Sequence, residues 1–366
     1  MKVDLIDLKA RFRDENKEVL RVISKTLKKG NLILTEELYN FEKEVSNYVG
    51  TKYCVGLNSG TDALMMALMA SGIKRGDEVI TSSKSFIASV GAIYHIGAKP
   101  ILIDIDDDLN MDTSLIESKI TKKTKAIMPV HWTGRVCNMK IITKIAKKYN
   151  LKIIEDAAQG MGARYYGKHA GTFGLCSAFS CHPLKNLNAI GDSGFMLTDN
   201  KKIYDMVMLY RNHGLFKRDD VRVFGVNSRL DTINAVILSL RLKKLKNVIS
   251  KRRENVELYR KNLADVPQIK LPIDKEYETN PHVMFITQAE RRNKLQKYLA
   301  SNNVQSMIYY GTPLHKHIAF KKFIDRNLKL PKVEKICSKV LALPHHQYLN
   351  KNQITYVCNL IRKFYK

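Results

Sequence analysis

Ile153-Ile154-Glu155-Asp156-Ala157-Ala158-Gln159 and Ser177-Ala178-Phe179-Ser180-Cys181-His182-Pro183-Leu184-Lys185-Asn186-Leu187 are the two stretches on which the reading of this chain turns. Each begins as a short apolar run of β character and ends in a residue with chemistry. In the first it is a carboxylate followed by small side chains, in the second a lysine among apolar neighbours. Outward from them the same rhythm repeats: β-rich runs at 53–57, 78–82, 99–104, 125–130, 151–155, 176–180 and 194–198 alternate with helical runs. That alternation predicts an α/β fold with a mostly parallel seven-stranded sheet sandwiched by helices, and it places ligands at the carboxyl ends of the strands.

Ahead of this unit, residues 16–49 read as two amphipathic helical segments around Lys29-Gly30-Asn31, the second carrying Leu38, Phe41 and Val45 on one side. Behind it, a long helical pattern from Leu230 to about Leu263 leads to a segment punctuated by Pro267, Pro272 and Pro281. The remainder, with strands at Val283–Thr287 and Val304–Tyr310 and helices at 289–301 and 351–364, reads as a small C-terminal α+β domain. A boundary near residue 240 gives a large domain of residues 1–240 and a small one of 241–366.

With 366 residues, 45% of them hydrophobic, the chain is long enough for both cores. It shows no run of about eighteen apolar residues and no signal-peptide pattern at its start, so a soluble, cytoplasmic protein without a membrane partner is expected. The formal charge of +27 raises the question of nucleic acid. The densest basic run, Arg241 to Arg253, however, falls on a helix whose Ala235, Leu238, Leu242, Leu245 and Ile249 keep a three-to-four residue apolar spacing. A solvated basic face explains it without nucleic acid. The six cysteines form no C-x-x-C pair and no zinc array, so free thiols and no metal are expected. Cys181 reads as a packed thiol rather than a nucleophile.

The charged strand ends carry the chemistry. A lysine against an apolar wall loses its proton more easily and attacks an aldehyde, while a buried aspartate holds a protonated pyridine nitrogen. Lys185 and Asp156 together describe a pyridoxal 5'-phosphate site, although Asp156 alone also reads as a helix cap. Asn58-Ser59-Gly60-Thr61-Asp62 follows a strand and opens an apolar helix, which is either an anion site at Gly60 and Thr61 or a plain capping box. Phe86, just after the next strand, is placed to stack on a flat ring or to pack in the core. Gln159, one turn from Asp156, is placed to donate to a phenolic oxygen, and the Ser180 hydroxyl is placed to take a phosphate oxygen. No G-x-S-x-G elbow or Walker lysine loop competes, and Gly160-Met161-Gly162-Ala163 lacks the third glycine of a dinucleotide fingerprint.

Read in order, these segments resemble the DegT/DnrJ/EryC1/StrS family of pyridoxal-phosphate sugar aminotransferases, of the fold type I (aspartate aminotransferase-like) class. The likeness also runs through Leu34-Thr35-Glu36, Arg211-Asn212-His213-Gly214, Gly225-Val226-Asn227-Ser228-Arg229-Leu230, Pro313-Leu314-His315 and Leu343-Pro344. It implies a Schiff base at Lys185, pyridine-nitrogen contact by Asp156, ring stacking by Phe86, and phosphate contacts by Gly60, Thr61 and Ser180. It further implies Gln159 beside the phenolic oxygen, Asn227 reaching the phosphate of a neighbouring subunit in a homodimer with shared sites, and Tyr309 and His315 toward the sugar-nucleotide end. Two departures are Gly191-Asp192-Ser193-Gly194, where Gly-Glu/Asp-Gly-Gly is common, and Ser180-Cys181, where Ser-Phe is usual. Family dehydratases carry His in place of the lysine, so Lys185 favours transamination.

The function expected on these grounds is transfer of an amino group, from glutamate, to a nucleotide-linked 3-keto or 4-keto sugar, with a lean to the former. The alternatives are a keto sugar without a nucleotide (an eight-carbon sugar acid or a keto-inositol) and a cofactor-bound regulator or basic binding protein without turnover.

Overall fold

Successive residues of a β-strand point to opposite faces, and in the central strands both faces are apolar. In the computed structural model, which describes residues 1–320 and 328–366, these strands are β1 (Tyr53–Leu57), β2 (Glu78–Ser82), β3 (Lys99–Ile103), β4 (Thr124–Met128) and β5 (Lys152–Asp156). After a small hairpin of β6 (Arg164–Tyr165) and β7 (Lys168–His169) come β8 (Cys176–Ser180) and β9 (Gly194–Thr198). The seven-stranded sheet has the order β1-β9-β8-β5-β4-β2-β3. Only β9 runs against its neighbours; the pairs β2/β3, β2/β4, β4/β5 and β5/β8 are parallel. The expected α/β fold with a mostly parallel sheet is therefore present, with four of the seven strands at the limits read from sequence.

On one face Val79, Met128, Ile154, Ala178 and Met196 pack against the apolar helix α3 (Gly60–Ala70), α4 (Ile87–His95) and, further along the chain, α6 (Lys201–Tyr210). On the other, Ile80, Ile127 and Ile153 meet Ile142 and Ile145 of α5 (Met139–Lys148). Phe179, Phe195 and Leu197 meet Leu38, Phe41 and Val45, together with Leu238 and Leu242 of α7 (Thr232–Asn262). Each such aliphatic or aromatic side chain contributes about 1.5–3 kcal/mol on leaving water. Helix α1 (Leu8–Lys29) starts eight residues before the expected 16, because the Asp7 side chain caps Ala10 N–H at 2.7 Å; it stops at Gly30, φ 71°. The second helix, α2 (Glu36–Val49), ends at Gly50 in the same left-handed conformation.

Between α6 and α7 a hairpin of β10 (Leu215–Lys217) and β11 (Asp220–Val221) projects from the sheet. At its neck Gly214 has φ 77°, and a Cβ there would lie 1.7 Å from the Val223 carbonyl oxygen. Beside this neck Phe224 is 99% exposed, and Phe216, Val221 and Val226 are also exposed.

Beyond α7, β12 (Ile269–Lys270), β14 (Ile286–Ala289) and β15 (Val340–Ala342) form a three-stranded sheet, while β13 (Glu278–Thr279) pairs with β6. The helices α8 (Arg292–Ser301), α9 (Pro331–Cys337) and α10 (Lys351–Tyr365) accompany it. Two sequence expectations shift here. The strand read at Val283–Thr287 begins only at Ile286, and Val304–Tyr310 makes isolated bridges, Val3 to Val304 and Met307 to Ala342, rather than a strand. Tyr310 itself has φ 53°, which breaks any extended run.

Two buried arginines tie the parts together. Arg211, at the end of α6, pairs with Glu42 of α2 and donates to Gly56 O of β1 at 3.1 Å, while Glu42 accepts Gly56 N–H at 2.7 Å. Arg252 of α7 donates to Val283 O at 3.1 Å. Removing one member of a buried pair leaves the other desolvated and uncompensated. Arg211→Met is expected to lower stability by about 3 kcal/mol or more, read as a lower urea midpoint at unchanged slope.

Candidate active site

Strand β5 ends with two carboxylates pointing in opposite directions. Glu155 turns away from the cleft and is consumed structurally: it accepts Gly171, Phe173 and Gly174 N–H at 2.7–2.8 Å and meets His131 Nε2 at 3.0 Å. Because His131 Nδ1 accepts Cys137 N–H at 3.2 Å, the imidazole proton sits on Nε2 and is donated to Glu155. Asp156 faces the cleft. Its Oδ2 accepts the Ser89 hydroxyl at 2.6 Å and its Oδ1 accepts Ala158 N–H at 3.2 Å. No helix follows Asp156, so the capping reading does not apply. Ser89 spends its one proton on Asp156, so in the Ser85–Ser89 hydroxyl pair Ser85 is the donor. Burial pushes the Asp156 carboxyl above its ordinary range, against the Ser89 and Ala158 hydrogen bonds and the Lys185 charge.

Lys185 comes from the loop after β8. The loop turns back through Lys185 N–H to His182 O (2.9 Å) and Ala189 N–H to Cys181 O (2.7 Å), with Gly191 at φ 95°. It is pinned from outside by the helices: Arg241 of α7 donates to Asn188 O at 2.6 Å, and Arg11 of α1 reaches the Asn188 side chain. The Lys185 ammonium is drawn down to about 8 because burial outweighs the nearby Asp156 carboxylate. Burial drives the Cys181 thiol the opposite way, upward, which disarms it as a nucleophile.

The third component is the start of α3. Its cap, Ser59, takes Asp62 N–H on its side chain (3.1 Å) and Ala63 N–H on its carbonyl (3.1 Å). The N–H groups of Gly60 and Thr61 belong to the first turn, where no helical acceptor precedes them. Close packing keeps this corner free of side chains. A Cβ on Gly60 would come 2.8 Å from Ser180 Cβ, and one on Gly194 2.5 Å from Gly60 N. That near contact explains why a glycine closes Gly191-Asp192-Ser193-Gly194.

Lys185, Asp156, Gly60, Thr61, Phe86, Gln159, Ser180 and Tyr309 all line one cleft of about 340 Å³, at the carboxyl ends of the strands. Phe86 is 54% exposed to it, which is not the burial of a core aromatic. Gln159 Nε2 bonds to the Trp132 carbonyl, leaving its second N–H for another acceptor. The Ser180 hydroxyl accepts His182 N–H at 3.3 Å. Two residues lie elsewhere. His315 does not line the cleft; its Nε2 is engaged by Glu334 at 2.9 Å. Asn227 is exposed below the 215–226 hairpin, bridged to Asn212. Sequence reasoning passed over Ser89, His131, Trp132 and Tyr310, which also line the cleft. A signal existed for Ser89 alone, one helical turn after Ser85.

An amine, a carboxylate, an anion-ready helix start and a flat aromatic at one cleft fit a phosphorylated aldehyde with a basic ring nitrogen. The glycines at 60 and 194 let the start of α3 pack directly on the ends of β8 and β9, which brings its unpaired N–H groups to the cleft as phosphate donors. If the Lys185 amine is the attacking group, pyridoxal phosphate uptake by the apoprotein accelerates as pH rises and levels off above about 8. Asp156→Asn removes a charge that holds the proton on Lys185, so the midpoint moves to lower pH; absorbance-monitored mixing across pH 6–10 reads both.

The DegT/DnrJ/EryC1/StrS aminotransferase family profile matches residues 13–362. A "dTDP-3-amino-3,6-dideoxy-alpha-D-galactopyranose transaminase" of Aneurinibacillus thermoaerophilus is 38% identical over 363 residues, covering 99% of this chain and 98% of that protein. A "pleiotropic regulatory protein" of Geobacillus stearothermophilus is 35% identical, covering 100% and 99%. Among solved structures, S. venezuelae DesV in complex with a ketimine intermediate superposes with a TM-score of 0.97 at 34% identity, covering 100% and 99%. The chain belongs to the DegT/DnrJ/EryC1/StrS aminotransferase family.

Proposed function

We infer that this protein is a pyridoxal-phosphate-dependent aminotransferase that moves an amino group from glutamate to the ketone of a nucleotide-linked sugar, at carbon 3 of a deoxyhexose. The observation that carries the reading is the pairing of a half-buried amine drawn down to about 8 with a buried carboxylate in one cleft. The name of the Aneurinibacillus relative supports the sugar and the carbon. When bound, the cofactor supplies an aldehyde for amines and a protonated ring that draws off negative charge from the reacting carbon.

The chain's own residues do the rest. Gly60 and Thr61 N–H groups and the Ser180 hydroxyl would hold the phosphate, Phe86 would cover a ring face, and Gln159 would offer its free N–H to the phenolic oxygen. Asp156, oriented by the Ser85–Ser89 hydroxyl relay, would accept the ring N–H and keep that nitrogen protonated. Lys185 Nζ, drawn down to about 8, would take the proton from the carbon bearing the donor amine and hand it to the cofactor's aldehyde-derived carbon within the same half-reaction, and would run that transfer in reverse for the sugar ketone. The division of the chain near residue 240 places the cofactor residues on the larger unit and Tyr309 on the smaller.

Asn227 lies away from the cleft of its own chain, beneath a hairpin with exposed Phe216, Val221, Phe224 and Val226. An apolar patch of this kind suits a second copy of the chain, and a two-fold dimer would bring Asn227 to the partner's phosphate. Among the described residues no helix is long and apolar enough to cross a membrane. A cytoplasmic location belongs to the same proposal and rests on the likeness to nucleotide-sugar transaminases. One relative carries a regulatory name. The Lys185–Asp156 pair serves cofactor binding in either case, and the transaminase names of the other relatives favour catalysis here.

Protein loaded with pyridoxal phosphate is expected to be yellow, to bleach with glutamate, and to recover with a dTDP-linked 3-keto-6-deoxyhexose, while Lys185→Ala shows neither change. Retention of turnover in Lys185→Ala would remove the assignment. Shared sites make a second prediction: mixing inactive Lys185→Ala with an impaired Asn227→Asp variant restores roughly a quarter of wild-type activity, because half of randomly paired dimers carry one intact site. No gain on mixing would place each site within one chain.

A further inference from the structure

Lys84 is 1% exposed, yet among the described residues no carboxylate meets it. A buried ammonium is costly unless its donors are satisfied. Here all three have acceptors: Tyr310 O at 2.6 Å, Tyr309 O at 3.4 Å and Cys337 Sγ at 3.2 Å. The ammonium also lies 4.8 Å from the centre of the Trp132 ring. Cys337 in turn donates to the same Tyr310 carbonyl at 3.4 Å, and Leu314 N–H reaches Ser83 O at 3.3 Å beside the lysine. The loop between β2 and α4 thus holds residues 309–314 from below.

Tyr310 is a bulky residue at φ 53°, a conformation that costs on the order of 1 kcal/mol or more and persists only where surrounding contacts impose it. Two contacts fall on its own carbonyl, from Lys84 Nζ and from Cys337 Sγ. Its ring then stands 5.8 Å from Phe86 and 5.9 Å from Trp132, completing an aromatic wall over the cleft that holds Lys185 and Asp156. Aromatic faces of this kind are what a sugar ring packs against, whereas glutamate presents little to them.

We propose that Lys84 is a positioning residue that fixes the left-handed conformation of Tyr310 and thereby sets the aromatic wall against which the sugar substrate binds. The inference rests on the aminotransferase reading above. Lys84→Met keeps the length and removes the donors. With a dTDP-linked 3-keto-6-deoxyhexose as acceptor, KM for the sugar is expected to rise about tenfold, with pyridoxal phosphate affinity and the glutamate half-reaction changed less than about threefold. Tyr310→Ala raises the sugar KM similarly, and the double variant no further, because both remove one feature.

Trp132, the chain's single tryptophan, reports independently: its emission shifts in Lys84→Met. An unchanged sugar KM in Lys84→Met, additive effects in the double variant, or equal losses in cofactor affinity and both half-reactions would each overturn the proposal. If Lys84→Met does not fold, Lys84→Gln keeps a donor for Tyr310 O and is expected to show a smaller rise with the same non-additivity. A wild type that does not bleach with glutamate overturns the aminotransferase reading. A wild type that bleaches normally, beside a Lys84 variant with unchanged KM, overturns only the role of Lys84.

Discussion

The opposed demands of Lys185 and Asp156 govern the rest of the molecule. Burial favours the neutral form of each, while their mutual attraction favours both charges, and the cleft holds the pair between these limits. Such a balance needs rigid surroundings. The parallel strands supply them by delivering both residues at their carboxyl ends, where a main chain leaving the sheet opens a crevice. The hydroxyl relay of Ser85 and Ser89 then fixes the carboxylate, and Arg241 and Arg11 fix the loop that bears the amine.

Much of this architecture was legible in the sequence because it is written locally. The strands at 53–57, 78–82, 176–180 and 194–198 are short β-rich runs flanked by turn residues, so their limits are plain. The start of α1 was not, because its first turns are charged and its onset depends on one capping contact from Asp7. The stretch 304–310 reads as β from its run of apolar and aromatic residues, Met307 to Tyr310, but Tyr310 at φ 53°, with its carbonyl held by Lys84, ends the extended backbone.

The cleft shows the same division. Residues at a strand end, in the loop just after one or at a helix start, such as Asp156, Lys185, Gly60 and Thr61, announce themselves by position. Ser89, Trp132 and Tyr310 do not, since each enters through a contact that spans dozens of residues or more in the chain. His315 illustrates the converse. Its motif placed it near the substrate, whereas the nearby Glu334 carboxylate claims its ring.

Helix α7 links these levels. Arg241 grips the carbonyl of Asn188 in the lysine loop, and Arg252, eleven residues later, grips Val283 in the cleft lining. Three turns of uninterrupted helix separate the two grips by roughly 16 Å. A rod so short and so firmly held at both ends behaves as a single strut, so the loop carrying the amine and the far bank of the crevice cannot shift independently, and any opening motion must pivot beyond it.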